Sequence, residues 1–407
     1  MDSTSGSAPW DLVPPQAWPS APKEMTVTTL SEITACPRRW ALATADYAGL
    51  WNGHGYPPRV STASLAGTVV HMALERIVRQ FVRNACAGVQ HAKATMVLKE
   101  LGGYTKVVQE CIDIVLQRLI GNPRAALVLE NTTRTLRTHA PELRTRVQVI
   151  VSRLRLPVSK VASSESGRKQ GGPLTRGAFP EIVLRARQIG WKGKVDLLVL
   201  SDGTCEIIDF KTGEPDEAHA IQLKIYALLW SRDKELNPAG RLADRLVLAY
   251  PGGDAEVAAP KHAELEVLEN QILAQRDTAH RALSQSPPEA RPSAQTCRYC
   301  GVRQLCDRYW LTATQAEISA HRSDQSYVDA EVLITTRHGS SSWDAVVVHL
   351  PGATAGRPAL VRTSSPMEFR AGARIRVLDG AVAREIEDDC QPVVITLGMY
   401  SEAYFVA

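Results

Sequence analysis

The segment GKVDLLVLSDGTCEIIDFKTG, Gly193 to Gly213, constrains the fold more than any other part of this chain. Apolar residues alternate up to Ser201-Asp202-Gly203-Thr204, and a second β-rich run leads away from it, the pattern of a hairpin closed by an Asp-Gly turn. A turn that pairs Ser201 with Thr204 sets Asp196 opposite Asp209 and Lys194 opposite Lys211. Opposed residues have Cβ atoms about 4.5–5.5 Å apart, so the two carboxylates repel unless a cation lies between them. Asp209 and Lys211 are two apart and share a sheet face, with Ile208 and Phe210 on the other. Two acids and one or two lysines on rigid strands make a hard-cation site with an ammonium beside it, a chemistry suited to phosphodiester hydrolysis. The bland alternative is a solvated strand face next to an ordinary turn.

Three successive stretches, GKVDLLVL, IIDFKTG and QLKIYALL, resemble the PD-(D/E)xK nucleases, most closely their RecB-like branch. The resemblance implies catalytic roles for Asp196, Asp209 and Lys211, with the Phe210 carbonyl as a further metal ligand. Gly67 to His71 fits the G-x-x-x-H helix that precedes the strands in that family, which implies that His71 completes the metal shell. Taken alone, a histidine on the edge of an apolar stripe is more often a satisfied core residue. Gln222 and Tyr226 match the family's Q-x-x-x-Y motif; four apart on a helix, they share a face and would brace the site or contact the substrate backbone. Glu181, one strand earlier, either supports a metal-bound water or is an exposed strand residue. The expected ion is Mg²⁺ or Mn²⁺, since an imidazole added to carboxylates suits manganese.

Eight cysteines in a 407-residue chain of 44% apolar and 22% charged composition do not suggest a disulfide framework. Cys297, Cys300 and Cys306 give C-x₂-C-x₅-C, a spacing of soft ligands that points to metal. With Cys36 they match the layout of RecB-like nucleases carrying an iron–sulfur cluster, including the AddB subunit and the CRISPR-adaptation exonuclease. The resemblance implies a structural [4Fe–4S] cluster on Cys36, Cys297, Cys300 and Cys306; four thiolates also suit Zn²⁺. Cys86, Cys111, Cys205 and Cys390 have no partner at metal spacing and read as small buried residues. Arg298, Tyr299, Arg303, Arg308, Tyr309 and Trp310 either pack around the cluster or line a strand entrance.

The remaining sequence sets the organisation. Residues 1–24, rich in Pro and Ser, read as a disordered tail; 25–312 as the nuclease domain; 325–407, where short alternating strands dominate, as an all-β, OB-like accessory domain. The fold class is therefore an α/β nuclease core, a mixed central sheet flanked by helices and closed by a cysteine cluster, plus that small β domain. Helices are expected over Thr28–Trp40 with a break at Cys36-Pro37, over Leu65–Val82, through Ala92–Ile120, over Asp216–Lys234 and over Lys261–Leu283. Strands are expected at Glu181–Ile189 and Arg245–Tyr250. Residues 124–156 look mixed, with Arg124, Arg134, Arg137, Arg144, Arg146, Arg153 and Arg155 mostly on a solvated face and some on phosphates; 160–177 looks like a loop. Net charge is only +4, so a basic groove must be local. No apolar run approaches about 18 residues, and the N-terminus has no secretory pattern, so a cytoplasmic protein away from membranes is expected. There is no phosphate-binding P-loop, so any helicase or defence or repair subunit is another chain. Together these features imply a metal-dependent deoxyribonuclease acting on single-stranded DNA or DNA ends in repair, recombination or defence, with RNA left open as substrate. The alternative is a non-catalytic DNA-binding or scaffolding subunit of a helicase–nuclease complex; the full set of His71, Asp196, Asp209, Lys211, Gln222 and Tyr226 argues for activity.

Overall fold

A computed structural model describes residues 10–50, 55–158, 172–311, 314–315, 327–364, 367–382 and 391–406. The chain opens with a short strand β1 (Trp10–Asp11), then helices α1 (Val27–Ala35) and α2 (Pro37–Thr44). The expected break falls between them: Cys36 is extended, with φ −165°, and Pro37 starts the second helix, because a residue before proline is driven out of the helical region. Five helices follow: α3 (Thr62–Arg83), α4 (Ala94–Glu100), α5 (Gly103–Leu119), α6 (Leu129–Thr138) and α7 (Ala140–Arg153).

Strands β2 (Gly177–Ala186), β3 (Trp191–Leu200), β4 (Cys205–Phe210), β5 (Arg245–Tyr250) and β6 (Gly253–Val257) form one sheet in the order β2-β3-β4-β5-β6. Only β4 and β5 run parallel. A parallel pair needs a long crossover, and α8 (Glu217–Arg232) supplies it. Two cores sandwich the sheet. Residues of α3, α5 and α7, among them Leu74, Ile112 and Val147, cover one face. Residues of α1, α8 and α9 (His262–Leu283), among them Ile33, Leu228 and Ile272, cover the other. A short helix α10 (Ala294–Arg298) then carries the chain into the cysteine segment.

The C-terminal strands are β7 (Tyr327–Gly339), β8 (Ser342–His349), β9 (Pro358–Thr363), β10 (Arg374–Val382), β11 (Val393–Leu397) and β12 (Glu402–Val406). They run β7-β8-β9-β11-β10, and β10 also pairs with β7, which closes the ring around its own core of Val332, Trp343, Ile375 and Ile395. β9 and β11 are parallel. This is the small β domain that the strand texture indicates.

Three expectations need correction. Residues 10–24 do not form a loose tail: β1 pairs with β12 of the barrel, and the Gln16 N–H donates to the Asp46 carbonyl at 3.0 Å. Residues 1–9 lie outside the described residues, as do most of 160–177 and Cys390. The mixed reading of 124–156 resolves into α6 and α7, whose buried Leu136, Leu143, Val147 and Ile150 are hidden among arginines in the sequence. Arg124 is neither solvated nor on a phosphate surface. It is 5% exposed, and its guanidinium donates to both Glu402 carboxylate oxygens at 2.9 and 2.7 Å. No helix among the described residues is long and apolar enough to cross a membrane.

Candidate active site

The β3–β4 hairpin has the register that its turn dictates. Ser201 and Thr204 exchange backbone hydrogen bonds, and Gly203 takes the left-handed φ of 86° that the turn requires. Pairing runs from Leu200–Cys205 to Leu197–Ile208 and stops one pair short of the acids. The strands part there. Asp196 reaches into the gap, and its Oδ2 accepts the Phe210 N–H at 2.6 Å. Phe210 itself is buried at the end of β4.

Asp209 is 4% exposed, and its carboxyl is pushed up to about 6, first by burial and then by the Asp196 charge. Lys211 Nζ lies 2.6 Å from Asp209 Oδ2, an ion pair that compensates the charge of this buried oxygen. The same ammonium donates to Gln222 Oε1 at 2.6 Å, and Gln222 Nε2 donates to the Tyr226 hydroxyl at 2.9 Å. One turn of α8 thus fixes the lysine from behind. Burial, then the Asp209 and Asp196 charges, raise the Tyr226 hydroxyl above its ordinary range, which keeps it neutral.

His71 enters from α3, its Nδ1 3.7 Å from Asp196 Oδ2. Burial opposes its protonation, but the nearby Asp196 carboxylate outweighs this, and the imidazole is raised above its ordinary value. The reason for a glycine four residues earlier is visible: a Cβ at Gly67 would stand 3.0 Å from Thr212 Oγ1, in the turn after β4. A side chain there would press on the Thr212 hydroxyl and require it to shift.

Glu181 joins the row. The β2–β3 register places it opposite Asp196, between the pairs Pro180–Leu197 and Ile182–Val195. It holds a left-handed φ of 57°, rare for a side chain of this kind. Strand alternation slips at the same place: Val195 and Leu198 pack in the core under α8, while Leu197 packs in the core under α3. Sequence pattern gives no sign of that slip. Lys194 does not face Lys211 as the hairpin register implied. It sits opposite Val183 of β2 and makes an ion pair with Glu181, whereas the Lys211 N–H bonds to Ala249 of β5. The ladder's early end removes the opposition. Burial, ahead of the opposing effect of Lys194, raises the Glu181 carboxyl. Glu181, Asp196, His71 and Lys194 line a cleft of about 870 Å³ between the sheet and helices α3 and α5. Glu75, one turn after His71, also lines it and pairs with Arg79 at 2.9 Å; its i+4 spacing from His71 is the signal that could have found it.

Among the described residues no three His, Cys, Asp or Glu side chains stand in ready ligating geometry. The donor chemistry nevertheless fits a divalent cation at the acids. Two carboxylates crowd one gap with a single ammonium beside them, and the charge of Asp196 raises the carboxyl of Asp209. At the cysteine segment the soft donors lie near one another, but they too lack that ready geometry. Cys36, Cys297 and Cys300 are buried and Cys306 is half-buried. Burial, then Cys300 and Cys36, raise the Cys306 thiol to about 11; burial raises Cys300 to about 11 as well. The two ends of the domain meet here: the Arg38 N–H donates to Glu289 at 2.8 Å, and the Arg291 N–H reaches Cys36 Sγ at 3.4 Å. Cys86, Cys111 and Cys205 are buried, as expected of small core residues. The strand entrance considered for the aromatic and basic residues nearby is corrected in part: Arg303, Tyr309 and Trp310 are buried, while Arg298, Tyr299 and Arg308 are exposed.

Residues 24–307 match the model of the PD-(D/E)XK nuclease superfamily. No curated protein matches. A solved structure titled "Crystal structure of SSO0001" shares 23% identity over 32% of this chain and 60% of that one, with a TM-score of 0.21. The chain therefore spans less than two thirds of that protein, and a likeness this slight carries no argument. The family match spans more than half of the chain and includes the hairpin with its acids, the α3 histidine and the α8 brace: the chain belongs to the PD-(D/E)XK nuclease superfamily.

Proposed function

We propose that this chain is a metal-dependent deoxyribonuclease of the RecB-like branch, acting on single-stranded DNA or DNA ends in repair, recombination or defence. The observation that carries the reading is the pair Asp196 and Asp209 sharing one strand gap, with Asp209 buried and Lys211 paired to it at 2.6 Å. Asp196, Asp209 and His71, with the Phe210 carbonyl, would hold Mg²⁺ or Mn²⁺, and Glu181 would support them. Such an ion supplies Lewis-acid polarisation of the scissile phosphate. The chain's own groups do the rest. Lys211, held forward by Gln222 and Tyr226, orients the attacking water and stabilises charge on the phosphorane oxygens. Its fixed position matters because the lysine–glutamine–tyrosine chain leaves the ammonium one direction in which to point. On the same reading Cys36, Cys297, Cys300 and Cys306 hold a [4Fe–4S] cluster, or Zn²⁺ in its place, as a structural tie between the ends of the nuclease domain. The barrel order β7-β8-β9-β11-β10-β7 with β9 and β11 parallel supports an OB-like accessory domain.

The test uses anaerobically purified protein. Its visible spectrum and bound-metal content are recorded, and labelled single- and double-stranded DNA is incubated with Mn²⁺ or Mg²⁺. Cleavage is expected from the wild type and not from Asp209→Ala or Lys211→Ala. Equal cutting by all three proteins would reject the assignment, and a colourless preparation loaded with zinc would reject the iron–sulfur cluster. A folded wild type that binds DNA without cutting it would favour the scaffolding alternative.

A further inference from the structure

Three aromatic side chains are exposed among the described residues: Tyr299 at 71%, Tyr327 at 50% and Tyr400 at 54%. All three line one cleft of about 400 Å³, where the cysteine segment meets the barrel. The half-exposed thioether of Met399 joins them. Exposed tyrosines scattered over a surface need no explanation, but their gathering into one concave site does.

The charges at this cleft favour an anion. Its single acidic lining residue, Asp379, is neutralised by Arg59 at 2.7 Å and by Arg303 at 2.9 Å. Arg298 lines the cleft with its guanidinium 5.3 Å from the Tyr299 ring centroid, and no acid pairs with it among the described residues. The platform is also rigid. Tyr299 lies inside the Cys297–Cys300 turn, and the Tyr400 hydroxyl accepts from Asn131 Nδ2 at 2.6 Å. Flat rings with a cation alongside are what unpaired bases and their phosphates require, because every base has a face to stack and every linkage a charge to meet. A base pair buries both of its faces in the duplex, so double-stranded DNA gains little here.

We propose that this cleft docks a single strand of DNA by stacking bases on Tyr299, Tyr327 and Tyr400, with Arg298 on a phosphate. The proposal rests on the deoxyribonuclease reading for the identity of the strand, and it adds a second contact distant in sequence from the acids. The test is fluorescence anisotropy of a labelled oligothymidylate on the full chain in EDTA, where no cutting occurs. A Tyr299→Ala/Tyr400→Ala double variant should lose about tenfold or more in affinity, while Tyr299→Phe/Tyr400→Phe, which keeps the rings, should stay close to wild type. The Phe variant also controls for the Asn131 bond, since both variants lose it and only the Ala variant loses the rings. Both variants should hydrolyse bis(4-nitrophenyl) phosphate with Mn²⁺ at the wild-type rate, because that ester is too small to span the two sites. Unchanged oligothymidylate binding by the Ala variant overturns the proposal. So does a shift in oligomeric state with unchanged DNA affinity, which would make the cleft a protein interface. Failure of the wild type to hydrolyse the small ester overturns the catalytic reading alone, and the binding ratio still decides the cleft.

Discussion

Asp209 sits under opposing demands. Burial and the Asp196 charge push its carboxyl up to about 6 from an ordinary 3.8. A raised carboxyl binds its proton more tightly in the folded than in the unfolded chain. Its stabilising contribution is therefore full below the unfolded value and is lost as pH rises through about 6. Metal-free protein should thus gain stability between pH 7.5 and 5 from this group, and Asp209→Asn should remove that gain by stabilising the protein at pH 7.5. The expected size is about 1.4 kcal/mol, one pH unit of titration below the folded value, read from denaturant midpoints of the two proteins in EDTA at both pH values. The same substitution should lower cleavage by about a thousandfold or more, since the site acts as a unit. A variant that loses activity and stability together at pH 7.5 would show that Asp209 serves the fold rather than an ion. The sequence made Asp196, Asp209 and Lys211 legible because hairpin register is local. It did not reveal the left-handed Glu181 or the ion pair that draws Lys194 away, because both depend on β2, whose register with β3 a single hairpin does not specify.

Two glycines explain how helices reach the sheet. At Gly67 a Cβ would stand 3.0 Å from Thr212 Oγ1, and at Gly193 it would stand 2.8 Å from Leu229 Cδ1 and Tyr226 Cε1. The first sets the approach of α3 with His71, and the second the approach of α8 with Tyr226. Gly67→Ala lies inside a helix, so its intrinsic effect on stability is favourable by about 1 kcal/mol. The steric push on α3 nevertheless displaces His71, and misplacement of this kind costs about 10- to 100-fold in rate. Activity should therefore fall while the melting temperature holds or rises. Thr212→Ala in the same chain should restore much of the rate, because it removes the hydroxyl that the new methyl meets. Steady-state cleavage and thermal melting of the two variants check both signs; a Gly67→Ala protein with wild-type rate would free His71 of any positional role. At this scale the sequence was most readable where apolar spacing was dense. The 22-residue α3 and the break at Pro37 follow from periodicity and proline chemistry. Helices α6 and α7 were obscured because arginine stems dilute a narrow apolar stripe. Strand β6 was missed because its residues, Gly253 to Val257, are largely exposed.

The barrel and the nuclease domain are joined by buried arginines rather than by a linker alone. Arg124 grips Glu402 of β12 in bidentate fashion, and the Pro57 and Gly301 carbonyls accept its two Nη1 protons at 2.8 and 2.7 Å. Arg303, 1% exposed and within the cysteine segment, grips Asp329 of β7 at 2.5 Å and Asp379 of β10 at 2.9 Å. The sequence displays these arginines only as charge, which is why surface or nucleic-acid roles looked natural; their acids lie up to 278 residues away. Removing one partner strands the other as an unpaired buried charge, which costs about 3–5 kcal/mol, whereas replacing both with apolar groups of similar volume is often close to neutral. Arg124→Met and Glu402→Leu should therefore each destabilise strongly, and the double variant should recover a large part of the loss. Because β12 also carries β1, the single variants should free the N-terminal strand as well, seen as faster proteolysis near Trp10. Additive losses in the double-mutant cycle would mean that the barrel is held by its apolar contacts alone, and the docking cleft at the same junction would then lose its claim to a rigid platform.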